Sequence, residues 1–202
     1  MLVNKILPSK RAAVAIASII SLSAGGYVTM SSGYKVHDDV ALASTYLIGP
    51  WEGRELVAYL DKLAKPPVVT ICDGDTTNVK LGMRETPAGC DKRLQSKMET
   101  VYRPALVRCV IDFDKHPVAW RAMADSIAWN IGPRAACDST AIRIVNDAMR
   151  KKTVPDYVAS CKAATAFNKA GGKVYIGLVN RREMGDKSRI GEAEMCVTGA
   201  QR

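Results

Sequence analysis

A run of nineteen uncharged, largely apolar or small residues extends from Ala12 to Met30, directly behind Lys5, Lys10 and Arg11. Positive charge followed by an apolar run is the grammar of an export signal. Ala, Ser, Gly and Thr supply most of the run, so each residue adds little transfer free energy and insertion into a bilayer is weak. Three fates are open to it. It can persist as a weak, uncleaved signal anchor; it can be removed as a signal peptide, although the nearest cleavage fit, Leu22-Ser23-Ala24, has Leu where a small residue is required; or it can fold into the domain as a buried helix. The first two divide the chain into residues 1–30 as anchor or signal peptide, 31–37 as linker and 38–202 as one domain.

Beyond the linker, Asp38 and Asp39 precede Val40, Ala43, Tyr46 and Leu47, apolar at helical spacing behind an acidic first turn, and this predicts a short helix ending near Gly49-Pro50. Between Leu56 and Thr77 the period changes. Val57 and Tyr59, then Val68-Val69-Thr70-Ile71-Cys72, are strand formers separated by Lys65-Pro66-Pro67 and closed by Asp73-Gly74-Asp75, which predicts a small antiparallel sheet. After Pro87 helical spacing returns: Leu94, Met98, Val101 and Tyr102; Val118, Met123, Ile127 and Asn130; Ile142, Val145 and Met149, with breaks at Gly132-Pro133 and near Pro155. A short helix, a small sheet and several helices make an α+β domain of two lobes, with a cleft expected where the lobes meet.

Composition narrows the chemistry. At 48% hydrophobic and 24% charged the chain is globular, neither disordered nor polytopic. Lys and Arg exceed Asp and Glu by 29 − 20 = 9, which favours an anionic partner. The basic residues are dispersed and aromatic content is 6%, so no stacking platform for nucleic acid is present. Only His37 and His116 occur, too few for a His-rich metal cluster, and carboxylates are left to carry any catalysis. Six cysteines, without a C-x-x-C pair, favour disulfides in an oxidising compartment. Their pairing is open among 15 connectivities.

The sheet region gathers Glu52, Glu55, Asp61, Thr70, Asp73 and Asp75 around Trp51 and Tyr59. Two carboxylates in different surroundings can divide the work of glycoside hydrolysis, one giving a proton to the leaving oxygen and the other, ionised, serving a water or the sugar. Carboxylates at turns and helix ends are more often solvated or capping. Asp73-x-Asp75-x-Thr77 imitates the start of a calcium loop but has Asn78 where Gly is needed and Arg84 where a bidentate Glu is needed. Gly171-Gly172 lies outside any dinucleotide or phosphate fingerprint and reads as a turn or a helix stop. No cofactor or metal is implied.

The pattern Glu52-Gly53-x-x-Leu56-x-x-Tyr59-x-Asp61, followed by Thr70-Ile71-Cys72-x-Gly74-x-Thr76, closely resembles the phage-type lysozymes, glycoside hydrolase family 24. The likeness continues through Pro87-Ala88-Gly89-Cys90, Ser126 to Gly132, Ser139-Thr140, Phe167 to Gly172 and Gly177-Leu178-Val179-x-Arg181-Arg182. The resemblance implies a lysozyme-like, two-lobed α+β fold and hydrolysis, with inversion, of the β-1,4 bond between N-acetylmuramic acid and N-acetylglucosamine. It assigns Glu52 as the general acid and Asp61 and Thr70 as the pair that positions water. One departure is that the Asp61 to Thr70 spacing is three residues longer than the family pattern, with the insertion at Lys65-Pro66-Pro67; lengthening at a turn adds little closure entropy.

A peptidoglycan substrate accounts for export, disulfides and positive charge together, because the wall lies outside the inner membrane and carries anionic stems. The Ala/Ser/Gly-rich segment resembles those of signal-anchor-release endolysins, in which the exported enzyme is tethered to the inner membrane and becomes active on leaving it. The expected partners are peptidoglycan strands and, through residues 12–30, the inner membrane of a Gram-negative cell; a monomer in the periplasm is expected. Two other roles share the fold: a chromosomal muramidase opening the wall for a secretion apparatus, and a non-catalytic wall-binding protein.

Overall fold

The computed structural model describes residues 5–62 and 66–200. Within the expected anchor, Lys10–Leu22 form helix α1, started by Ser9, whose hydroxyl accepts the Ala12 N–H. The apolar run does not continue as helix to Met30. Gly25 and Gly26 both take positive φ, and Tyr27–Thr29 form strand β1, paired antiparallel with β2, Lys35–His37, inside the expected linker. Among the described residues no helix is long and apolar enough to cross a membrane. Instead α1 lays Ala12, Ala15, Ile16 and Ile19 into the core, the third of the fates open to it.

Asp38–Leu42 form α2, with Asp38 and Asp39 in its first turn, and the chain runs on as a π-helical turn over Ala43–Ile48. The small lobe is the hairpin of β3, Glu55–Asp61, and β4, Val68–Cys72, in register Tyr59↔Thr70 and Asp61↔Val68, with an irregularity between Glu55 and Tyr59. Lys65 of the expected insertion lies outside the described residues, but the ladder is regular up to Asp61 and Val68 on either side of the connection. This lobe has a modest core in which Ala58, Ile71 and the Cys72–Cys90 disulfide are buried.

Pro87–Lys97 form α3, with Thr86 as N-cap and Pro at the first turn, followed by a π-helical turn over Met98–Tyr102 and by α4, Arg103–Cys109. The central helix α5, Val118–Ile131, is buried from Ala119 to Ala128 and is surrounded by its neighbours. Gly132, at φ +87°, ends it and leads into α6, Pro133–Cys137. Ser139 caps α7, Thr140–Arg150, and Asp156 caps α8, Tyr157–Ala163. A two-residue hairpin, β5 Lys169–Ala170 and β6 Lys173–Val174, turns at Gly171-Gly172 as expected, and α9, Ile176–Arg182, and α10, Glu192–Ala200, close the chain. The disulfides Cys109–Cys137 and Cys161–Cys196 tie α4 to α6 and α8 to α10. The architecture is therefore a lysozyme-like α+β body, largely helical, with three two-stranded antiparallel sheets among the described residues rather than the one expected.

Candidate active site

Glu52 stands where the π-helical turn of Ala43–Ile48 is wound off. The N–H groups of Trp51 and Glu52 both donate to the Ile48 carbonyl, at 2.9 and 3.1 Å, which fixes the backbone of the pair. Trp51 is held from the other side, its indole N–H donating to the Ile190 carbonyl at 2.9 Å while the Arg189 guanidinium lies 3.8 Å from its ring centroid. The Glu52 carboxylate receives Arg181 Nη1 at 2.8 Å.

Arg181 is 4% exposed and is itself anchored. Its Nε donates to Glu192 at 3.3 Å, and Glu192, fully buried on the first turn of α10, also accepts the Ser126 hydroxyl at 2.6 Å and a guanidinium N–H of Arg182. Arg182 reaches on to the Asn130 side-chain oxygen and to the Phe167 carbonyl. A charged network thus runs from Glu52 through Arg181, Glu192 and Arg182 to Asn130. Asn130 and Glu52 meet again as walls of one polar cavity of about 210 Å³, with Asp73, Lys97, Tyr102 and Trp129 also lining it.

The sequence motif Val179-x-Arg181-Arg182 contained the residues that hold Glu52, but their role was not legible in it. Two adjacent arginines carry no mark of burial in the sequence, and the fold turns both inward, onto Glu192. A doublet of arginines on a partly apolar helix, with a Glu ten residues further on, is the signal that could have found them.

Asp61 and Thr70 lie on paired strands. Because Tyr59 stands opposite Thr70 and Asp61 is two residues beyond Tyr59, Asp61 and Thr70 share one face of the hairpin as diagonal neighbours. Thr70 is 5% exposed, its hydroxyl 3.4 Å from the Val68 carbonyl. Asp61 is half-buried. Glu52 lines the 210 Å³ cavity, and Asp61 and Thr70 are not among its walls.

Two further carboxylates of the small lobe, Asp73 and Asp75, are held in ion pairs. Asp73 is chelated by Arg54 at 3.0 and 2.8 Å; burial raises its pKa, and Arg54 opposes that shift without cancelling it. Asp75 is pushed up by burial, but Lys97 at 2.9 Å, the Thr77 N–H and Arg93 at 2.8 Å outweigh this and hold it below the usual carboxylate range. The two Asp residues that imitate a calcium loop are thus occupied by cationic side chains. Glu55, at the start of β3, is exposed.

Comparison with known proteins gives a consistent picture. The family profile described as phage lysozyme matches residues 49–185. The SAR-endolysin of Enterobacteria phage P21 is 30% identical over 165 residues, which is 80% of this chain and 90% of that protein. Among solved structures, a P22 lysozyme mutant superposes with a TM-score of 0.60 at 24% identity, over 77% of this chain and 94% of that one. The active form of the P1 phage endolysin Lyz covers 98% of both chains with a TM-score of 0.57 at 20% identity.

Proposed function

From the premise that the chain belongs to the phage lysozyme family, we infer the working parts of a muramidase that cleaves the cell wall in host lysis. The observation that carries the reading is the seating of Glu52: a carboxylate at the wall of a polar cavity, aimed by a buried arginine that is itself fixed by a buried glutamate. A general acid has to meet the glycosidic oxygen within hydrogen-bond reach, and a rigid mount is what keeps it there. In this reading Glu52 in its acid form protonates the leaving oxygen. Asp61, ionised, and the Thr70 hydroxyl hold the attacking water on the opposite side of the sugar, as inversion requires. Their common face on the β3–β4 hairpin supports this pairing. Arg181 orients Glu52.

The same reading extends to the membrane. The buried side of α1 carries Ala12, Ala15, Ile16 and Ile19, yet its outer side is also apolar, with Val14 67%, Ile20 50% and Leu22 66% exposed. A helix apolar all round suits two environments, a bilayer and a protein core. The present fold is then the released form, and tethering in the inner membrane is its earlier state. Docking of α1 is fixed by Arg11, which pairs with the buried Glu194 at 2.7 Å and donates to the carbonyls of Met184 and Asp186. That segment adjoins Ile190, the acceptor for Trp51, and Arg181, the partner of Glu52. Withdrawal of α1 into a bilayer therefore removes a support of the acid.

The test is hydrolysis of purified Gram-negative peptidoglycan by the full chain, followed as loss of turbidity, with mass spectrometry of the released ends. Reducing-end muramic acid is expected, with activity lost in Glu52→Gln and kcat lowered about 10–100-fold in Arg181→Lys. Parent-rate hydrolysis by Glu52→Gln would sink the assignment of the acid.

A further inference from the structure

Arg181 serves two carboxylates. Its Nη1 donates to Glu52 at 2.8 Å and its Nε to Glu192 at 3.3 Å, while the buried Nη2 has no hydrogen-bond partner among the described residues. The arginine that aims the acid is therefore shared. Glu192 in turn lies against two guanidinium groups, those of Arg181 and Arg182, and accepts the Ser126 hydroxyl from α5 at 2.6 Å. Arg181 is 4% exposed and both Arg182 and Glu192 are fully buried, so little solvent screens the charges of the group from one another.

An arginine in contact with a general acid works against the chemistry. A guanidinium beside a carboxyl group favours its ionised form, whereas a general acid has to arrive protonated. The other titratable residues that line the Glu52 cavity are Asp73, Lys97 and Tyr102. Asp73 is paired with Arg54 and Lys97 with Asp75, so each of these charges is balanced by a partner of its own. With Glu52 ionised, the connected group of Glu52, Arg181, Glu192 and Arg182 holds two carboxylates against two guanidinium groups and carries no net charge. Without the charge of Glu192 the same group is positive, and that excess bears on Glu52.

We propose that Glu192 is a further positioning residue of the reaction: it holds Arg181 in the place from which Glu52 is aimed, and it takes up the charge of that arginine so that Glu52 can carry the proton it donates. The inference rests on the muramidase reading, in which Glu52 is the acid. The seat of Glu192 suits the task. It stands in the first turn of α10, where a helix N-terminus favours negative charge, and Arg182, the second cation on it, is anchored by the Phe167 carbonyl and the Asn130 side chain. A Glu192 that only braces the fold and one that balances charge answer differently when either charge of the Glu192–Arg182 pair is removed.

Three variants of the full chain test this. Glu192→Gln keeps the shape and an acceptor oxygen but removes the negative charge, Arg182→Gln removes the opposing positive charge, and the double variant restores the balance. The alkaline limb of kcat/KM on purified peptidoglycan, which reports loss of the donated proton, is expected about one pH unit lower in Glu192→Gln, about one unit higher in Arg182→Gln and close to the parent in the double variant. A carboxyl ¹³C titration of Glu52, its resonance identified by its absence from Glu52→Gln, is expected to move in the same directions. A lowered rate with an unmoved limb, or shifts of one sign in both single variants, overturns the proposal. If Glu192→Gln does not fold, Arg182→Gln decides, and a limb at or below that of the parent overturns it. If the parent protein does not cut peptidoglycan, the muramidase reading fails, and the carboxyl titration alone decides whether Glu192 balances the charge on Glu52.

Discussion

Asp125 occupies the middle of the central helix with both carboxylate oxygens buried and without a hydrogen-bond partner among the described residues. Asp39 on α2, also fully buried, faces it, and Glu99 adds a further negative charge; Arg103 and Arg121 supply the opposing positive charge. Both arginines are committed to Asp39, at about 3.0 Å each. Burial first, and then Asp39, push the Asp125 pKa far above the ordinary carboxylate range. A carboxyl group whose folded pKa is raised contributes stability that is full below its unfolded pKa and is lost as pH rises through the folded one. His116 acts in the opposite sense. Burial lowers its pKa, with its ring between the Tyr157 hydroxyl and the Ile111 carbonyl, so its contribution is present above the ordinary histidine value and is lost as pH falls through the lowered one. Asp125→Asn, a near-isostere without the ionisable proton, is expected to flatten the alkaline limb of the stability profile and leave the acid limb in place. Urea unfolding from about pH 5 to about pH 9 checks this; an unchanged alkaline limb would show that Asp125 titrates in the folded protein as it does in the unfolded chain. None of this network was legible in the sequence. Asp38-Asp39 read as an acidic first turn, which Asp38 and Asp39 do form, but the burial of Asp39 and its arginine partners depends on helices that meet only in the folded chain.

At the scale of elements, the predicted β3–β4 sheet and the helices after Pro87 followed their patterning, because period and breakers are local signals: Pro87 and Gly132-Pro133 stand at the boundaries they announce. The N-terminal segment did not follow its pattern. Nineteen uncharged residues read as one span, but Gly25-Gly26 interrupts it and turns its end into a hairpin. Disulfide pairing is likewise a property of the fold, and it falls unevenly on the elements. Among the described residues the apolar cluster of the small lobe buries Ala58 and Ile71 beside its own disulfide, whereas the helical lobe packs Leu106, Trp120, Met123, Ile127 and Val145. Cys72 and Cys90 are 18 residues apart, a crosslink that contributes about 3 kcal/mol through the unfolded state. Replacing both by Ser is therefore expected to loosen β3 and β4 before the helices. In hydrogen exchange the amides of Tyr59 and Thr70 should lose protection while those of α5 keep theirs, and hydrolysis should fall with them. Equal loss of protection in both lobes would mean that the lobes unfold as one unit despite their unequal cores.

Taken whole, the molecule has no core that α1 merely decorates. Ile16 is 2% exposed and belongs to the same buried cluster as Leu42, Leu47, Met98 and Met195, contributed by α2, both π-helical turns and α10. Gly199 marks the closeness of this packing. A Cβ there would stand 2.3 Å from the Cβ of Ala119 on α5 and 3.5 Å from Cδ1 of Ile16, so α10 can lie between α5 and α1 only where the side chain is absent. An appendage and an integral helix answer truncation differently. If α1 is integral, Ile16→Ala leaves a cavity that costs roughly 2–5 kcal/mol and lowers the melting temperature of the entire domain by about 5–15 °C in a single transition. If it is an appendage, the melt of the body is unchanged and only the amides of α1 exchange faster. The packing predicts the first result. It also sets a condition on the membrane release proposed above: an α1 that starts in a bilayer would have to reach its seat among α2, α5 and α10 before Arg11 can close on Glu194, so in that proposal Ile16→Ala slows the appearance of hydrolytic activity after release more than it lowers the final rate.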